Sequence, residues 1–112
     1  MLERSRTYYL YDQPCDMRKS FNTLSAIVTA HMKLDLLSGA GFVFINKKRS
    51  HLKLLLWKGE GLSIYFKRLE KGSFEHPSKT GGYQVNYQKL RLILQGIQSD
   101  KIVKRKRFNV GK

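Results

Sequence analysis

The sequence predicts an α+β fold: a single domain with a mainly antiparallel sheet of about four to five strands packed against one long and one short helix. Three observations carry this prediction. Apolar residues recur at helical spacing from Met17 to Met32, the period changes to two from Phe42, and helical spacing returns after Asn86. A chain of 112 residues has the length of one ordinary domain and buries roughly two-thirds of the surface its unfolded form exposes. The expected organisation is a domain over residues 1–98 followed by a basic tail over 99–112.

Residues 7–11 are β-prone and rich in aromatics, which predicts a first strand ending at Asp12, just before Pro14. Asp16 is the expected N-cap of the long helix. Met17, Phe21, Leu24, Val28 and Met32 then share one helical face with Ile27 beside them, and Arg18, Asn22, Ser25, Thr29 and Lys33 share the other. The helix is expected to end near Leu36, with Ser38, Gly39, Ala40 and Gly41 as a flexible stop. Residues 42–46, 52–57 and 62–69 read as three strands in two successive hairpins, joined by the basic loop 47–50 and by 58–61. Leu52, Leu54 and Leu56 oppose Lys53, Leu55 and Trp57 across the second of these strands; Leu62, Ile64 and Phe66 oppose Ser63, Tyr65 and Lys67 across the third. The aliphatic rows suit a helix-covered core and the mixed rows a partly exposed surface. One face is therefore expected to be covered, by the helix from Asp16 and by a second one.

That second helix follows a loop over 75–82, marked by Pro77 and paired glycines, and a brief strand over 83–85. Asn86 is its expected cap, and Leu90, Ile93, Leu94 and Ile97 form its apolar stripe, with Leu92 off the stripe. Residues 101–107 hold five basic residues and no acid. Their alternation fits an edge strand, and their composition fits a flexible arm.

Charge narrows the functional classes. The chain carries 22 Lys plus Arg against 8 Asp plus Glu, a formal +14 at pH 7, well above the roughly 2 to 8 usual for a small soluble domain. Residues 1–40 contribute +1 of it, 41–80 contribute +6 and 81–112 contribute +7. Self-repulsion on that scale is relieved by a polyanion, so nucleic acid leads as partner and an anionic membrane surface follows. The longest uninterrupted apolar runs, 42–45 and 54–57, fall far short of the roughly 20 residues that span a bilayer. Charged residues at Glu3, Arg4, Arg6 and Asp12 do not make a signal peptide, and the expected location is the cytoplasm.

No motif argues for catalysis. His31, His51 and His76 stand 20 or more residues apart with no Cys or carboxylate at ligand spacing, so neither a metal nor a cofactor is implied. Asp12, Asp16 and Glu60 are the sole motive for a metal-dependent nuclease, which needs more carboxylates converging on its ions. Gly59 and Gly61 lead into a strand, whereas a phosphate cradle leads into a helix. Cys15 has no neighbouring base in sequence and reads as an inert residue at the helix entrance. Trp57, Tyr65 and Phe66 among Lys53, Lys67 and Arg68 are the richer pattern, because strands that interleave rings with cations stack bases and neutralise phosphates together.

Several runs carry a family resemblance. The segments 15–21 (Cys-Asp-Met-Arg-Lys-Ser-Phe), 42–46 (Phe-Val-Phe-Ile-Asn), 52–57 (Leu-Lys-Leu-Leu-Leu-Trp) and 65–74 (Tyr-Phe-Lys-Arg-Leu-Glu-Lys-Gly-Ser-Phe) resemble the small TnpB accessory protein of the insertion-sequence-66 family of bacterial transposable elements. The resemblance spans about residues 8–77, with a weaker echo over 90–97, and leaves the tail from Asp100 uncovered. Where the family usually has Asp-Gly-Asp-Gly after the Trp, this chain has Lys58, Gly59, Glu60 and Gly61, and Cys15 stands where Thr is usual. The resemblance implies a role in transposition beside a larger transposase that carries the acidic catalytic residues, and no chemistry of the protein's own. The expected function is accessory DNA binding at element ends, without catalysis. Its expected phosphate- and base-contacting residues are Arg18, Lys19, Lys47, Lys48, Arg49, Lys53, Trp57, Lys67, Arg68, Lys71, Lys104, Arg105, Lys106 and Arg107. The alternative is an adaptor that docks on the transposase or another element-encoded protein through Leu92 and exposed aromatics.

Overall fold

The computed structural model describes residues 2–76 and 82–96. The first strand, β1, is Tyr8–Leu10; helix α1 is Phe21–Ala26 and continues as a π-helical turn, Ile27–His31. Strands β2 (Gly41–Ile45), β3 (His51–Lys58) and β4 (Gly61–Arg68) follow, then the short β5 (Gln84–Val85) and helix α2 (Tyr87–Gln95). The strands form one sheet in the order β4-β3-β2-β1-β5.

The two hairpins form where the period of two predicts them. The β3–β4 turn is tighter than expected, since Lys58 pairs with Gly61 and only Gly59 and Glu60 lie between. Gly59 takes φ 64°, the left-handed conformation that a two-residue hairpin turn demands. The sheet itself is mixed, with one parallel pairing in it. Three pairings are antiparallel, but β1 runs parallel to β2 with Tyr8 beside Gly41 and Leu10 beside Val43. The intervening helical segment supplies the crossover that parallel neighbours need. Gly41 is required at this junction, because a Cβ there would lie 2.7 Å from the Tyr8 ring.

The long helix from Asp16 is corrected to a short one. Asp16 does not cap it: its Oδ1 accepts the Arg18 backbone N–H at 2.9 Å, closing a local turn. The Met17 and Lys19 carbonyls, which would accept from the first helical turn, instead each accept a 2.7 Å hydrogen bond from Lys53 Nζ. Regular helix therefore starts at Phe21, after Ser20. At the far end Met32 N–H donates to the Ile27 carbonyl five residues back, and Lys33, at φ 60°, turns the chain out of the helix before Leu36. The second helix follows its prediction: Asn86 Oδ1 accepts from Lys89 N–H at 2.7 Å, and Leu90 and Ile93 are buried. Ile97, Pro77 and the tail over 99–112 lie outside the described residues.

The helices lie on opposite faces of the sheet, which corrects the one-covered-face expectation. Leu90 and Ile93 of α2 pack with Tyr8, Leu10, Val43, Ile45, Leu52, Leu54, Leu56 and Phe74. Leu24, Val28 and Met32 pack with Cys15, Phe42, Phe44 and Leu55 on the other face. β2, central and buried along its whole length, feeds both cores. The registry decides the rest. Leu55 pairs with Ile64 and Leu54 with Tyr65, so the two aliphatic rows of β3 and β4 fall on opposite faces instead of sharing one.

Candidate nucleic-acid interface

The β2–β3 turn is built by Asn46. Its Oδ1 accepts from the backbone N–H of Ser50 at 2.9 Å and of His51 at 3.0 Å, and its Nδ2 donates to Ser50 Oγ at 3.2 Å. Arg49 occupies the left-handed region at φ 61° to complete the turn. This frame holds Lys47, Lys48 and Arg49 exposed at its tip. No ion pair or side-chain hydrogen bond among the described residues engages them.

Three chain segments converge on that tip. Leu69 N–H donates to the Ser50 carbonyl at 2.9 Å and Phe74 N–H to the Arg49 carbonyl at 2.7 Å, which brings Arg68 and Lys71 alongside. Cys15 N–H donates to the Ile45 carbonyl at 2.9 Å, and the Lys53 contacts fix the 17–19 backbone, which brings Arg18 and Lys19 to the same end. Between the turn and the 14–17 segment lies an open groove of about 540 Å³ lined by Pro14, Asp16, Lys47, Lys48 and His51 among others. His51 lines it, with Nδ1 2.7 Å from Ser50 Oγ and its ring 5.6 Å from that of Phe66.

The expected contact residues divide by what they touch. Lys53 and Lys67 are engaged within the chain: Lys53 binds the two carbonyls named above, and Lys67 Nζ donates to the Leu94 carbonyl at 2.9 Å near the C-terminus of α2, where a cation is favoured. Arg18 and Arg68 each hold a neighbouring carboxylate, Asp16 at 2.7 Å and Glu70 at 2.9 Å. The Arg18 hydrogen bonds hold the Asp16 carboxyl well below the usual carboxylate range. Lys19, Lys47, Lys48, Arg49 and Lys71 remain without such partners among the described residues. Trp57 is half-buried at the opposite end of β3, six residues or roughly 20 Å from His51. Lys104, Arg105, Lys106 and Arg107 lie outside the described residues.

Sequence reasoning missed Asn46, Ser50 and His51. The available signal was an Asn ending a strand and followed by Lys-Lys-Arg-Ser, the pattern of an Asx-stabilised turn. Cys15 is buried, and that burial pushes its thiol pKa up, away from nucleophilic reactivity. Among the described residues no three of His, Cys, Asp and Glu come together as a metal site, and no helix is long and apolar enough to cross a membrane.

A family model for IS66 Orf2-like proteins matches residues 6–104. The chain belongs to this family. Two relatives from Sinorhizobium fredii are similar to it: the uncharacterized protein y4hO, 37% identical over 83 residues that cover 73% of this chain and 72% of the relative, and the uncharacterized protein y4jC, 34% identical over 95 residues that cover 84% and 80%. No solved structure matches. The match to the IS66 Orf2-like family takes in β1 through α2 and therefore all three segments that meet at the basic end.

Proposed function

We propose that this IS66 Orf2-like protein is a transposition accessory factor that grips DNA through backbone phosphates at the basic end of its sheet, with no catalysis of its own. One observation carries the reading. Lys47, Lys48 and Arg49 are held out by a dedicated Asn46 turn, uncompensated among the described residues, and are flanked by Lys19 and Lys71. Rigid presentation of free cations is what phosphate binding uses and what a merely solubilising charge does not need. His51 and the half-exposed Phe66 ring beside it offer a stacking surface next to those cations. Sequence preference is modest in this reading, because phosphates position the protein and carry no code.

Five free cations on the described body, each releasing about 0.9 counterion, give a log–log salt slope of about −4 to −5. Fluorescence anisotropy with a duplex from an element end, titrated between about 50 and 200 mM salt, measures it. Binding without salt dependence, or none at low salt, overturns the reading. A second reading rests on Leu92, 57% exposed on the outer side of α2: the protein docks on the transposase or another element-encoded protein. Association that persists after nuclease treatment supports it, whereas DNA-bridged association vanishes.

A further inference from the structure

The sheet ends on one side in the two-residue β5 and on the other in the eight-residue β4. The Leu69 N–H to Ser50 carbonyl bond sets the phase of the β3–β4 ladder. By the alternation of antiparallel pairing, Ser63, Tyr65 and Lys67 bond inward to β3, and Leu62, Ile64, Phe66 and Arg68 turn their N–H and C=O outward. Among the described residues no strand lies on that outer side. Edge strands are normally blunted by proline, a bulge, short length or a central charge. β4 has none of these. Its register with β3 is unbroken from Gly61 to Arg68, its cations lie only at its end, and Lys67 is turned onto α2. Tyr65 and Phe66, on opposite faces, are 42% and 48% exposed.

We propose that β4 is a homodimer edge, pairing antiparallel with β4 of a second copy about a two-fold axis at Ile64. A two-fold perpendicular to the sheet must pair like faces, so even-numbered residues meet even-numbered ones and the outward groups form the bonded pairs. Centring on Ile64 sets Leu62 opposite Phe66 twice and Ser63 opposite Tyr65 twice, and it brings Glu60, in the turn that leads into β4, up to Arg68 of the other copy, whose guanidinium also holds its own Glu70. Centring on Tyr65 instead sets Leu62 opposite Arg68 and brings Glu60 toward Glu70, a like charge. Charge also selects the occupant. The chain's own residues 101–107 hold five cations and no acid, which would be drawn up against Lys67 and Arg68, whereas a second copy brings Glu60. The dimer doubles the five-stranded sheet and sets two basic ends about 26 Å apart along the strands, eight residues at roughly 3.3 Å.

Sedimentation velocity of the full chain, free of nucleic acid and at about 0.5 M salt to screen the repulsion between copies, tests this independently of DNA binding. The expected species has twice the 13.1 kDa chain mass. Compared at about 0.15 M salt, where exposed charges still act, Arg68→Glu brings like charges together twice and weakens the dimer about tenfold, and adding Glu60→Arg restores it. Phe66→Pro removes an outward N–H that the monomer does not use and yields a folded monomer, with the charge-reversal pair deciding the matter if that variant misfolds. A monomer at every concentration, or a dimer indifferent to Arg68→Glu, overturns the proposal. So does a monomer whose Ile64 and Phe66 amides resist hydrogen exchange, which would assign the edge to the chain's own tail.

Discussion

Lys53→Met separates a strut from a phosphate ligand. The ammonium of Lys53 donates at 2.7 Å to the carbonyls of both Met17 and Lys19, tying the segment before α1 to the middle of β3. A hydrogen bond to a charged group contributes about 1.5–3 kcal/mol. Both bonds are half-buried, so water recovers part of the loss, and Met keeps the apolar stem; the expected net destabilisation is about 2 kcal/mol. For a domain of this size that lowers Tm by roughly 8–10 °C. Circular dichroism melts measure it, and anisotropy on the same variant, below its Tm, should show the parental salt slope. A Tm within about 2 °C of the parent together with a slope reduced by about one unit would refute the reasoning, since Lys53 would then be neutralising a phosphate.

Other expectations follow from single contacts. Asn86→Ala removes the cap on Lys89 N–H and costs about 1 kcal/mol, read as a shift in urea midpoint with unchanged m. Gly41→Ala drives a Cβ to 2.7 Å from the Tyr8 ring and 3.0 Å from Leu54, an overpacking that costs about 1–3 kcal/mol in the same assay. Asp16 has its folded-state pKa lowered by Arg18, so its contribution to stability is complete above the ordinary carboxylate range and is lost as pH falls through the lowered value. The urea midpoints of Asp16→Asn and the parent should therefore differ more at pH 7 than at about pH 3.

What the sequence made legible was local. The alternation within 42–69 located three strands, and an Asn followed by a helical stripe located α2 and its cap. The departures arise from contacts between distant residues. Met17 to Met32 does keep helical spacing, and Leu24, Val28 and Met32 are buried as that spacing predicts. Lys53, more than thirty residues away, claims the carbonyls of the intended first turn, and no local pattern contains that. The faces of β3 and β4 were each legible, and so was their register: a turn over 58–61 already sets Trp57 opposite Leu62 and hence Leu55 opposite Ile64, the pairing found, so the two aliphatic rows had to part once the pairing was counted through the turn. The candidate site shows the same division. Its cations could be counted from the sequence, whereas the occupation of Lys53 and Lys67 by backbone carbonyls and the remoteness of Trp57 required the fold.

The central claim is that the cations of the β2–β3 turn carry the phosphate contacts. The salt dependence of DNA binding by Lys47→Gln, Lys48→Gln, Arg49→Gln in one chain tests it most directly, with unfolding midpoint as a control. Losing three phosphate contacts should bring the slope about 2.7 units closer to zero while the midpoint, set by Asn46 and the two cores, stays near the parent's. An unchanged slope in a folded triple variant would contradict the account and move the phosphate contacts away from this turn.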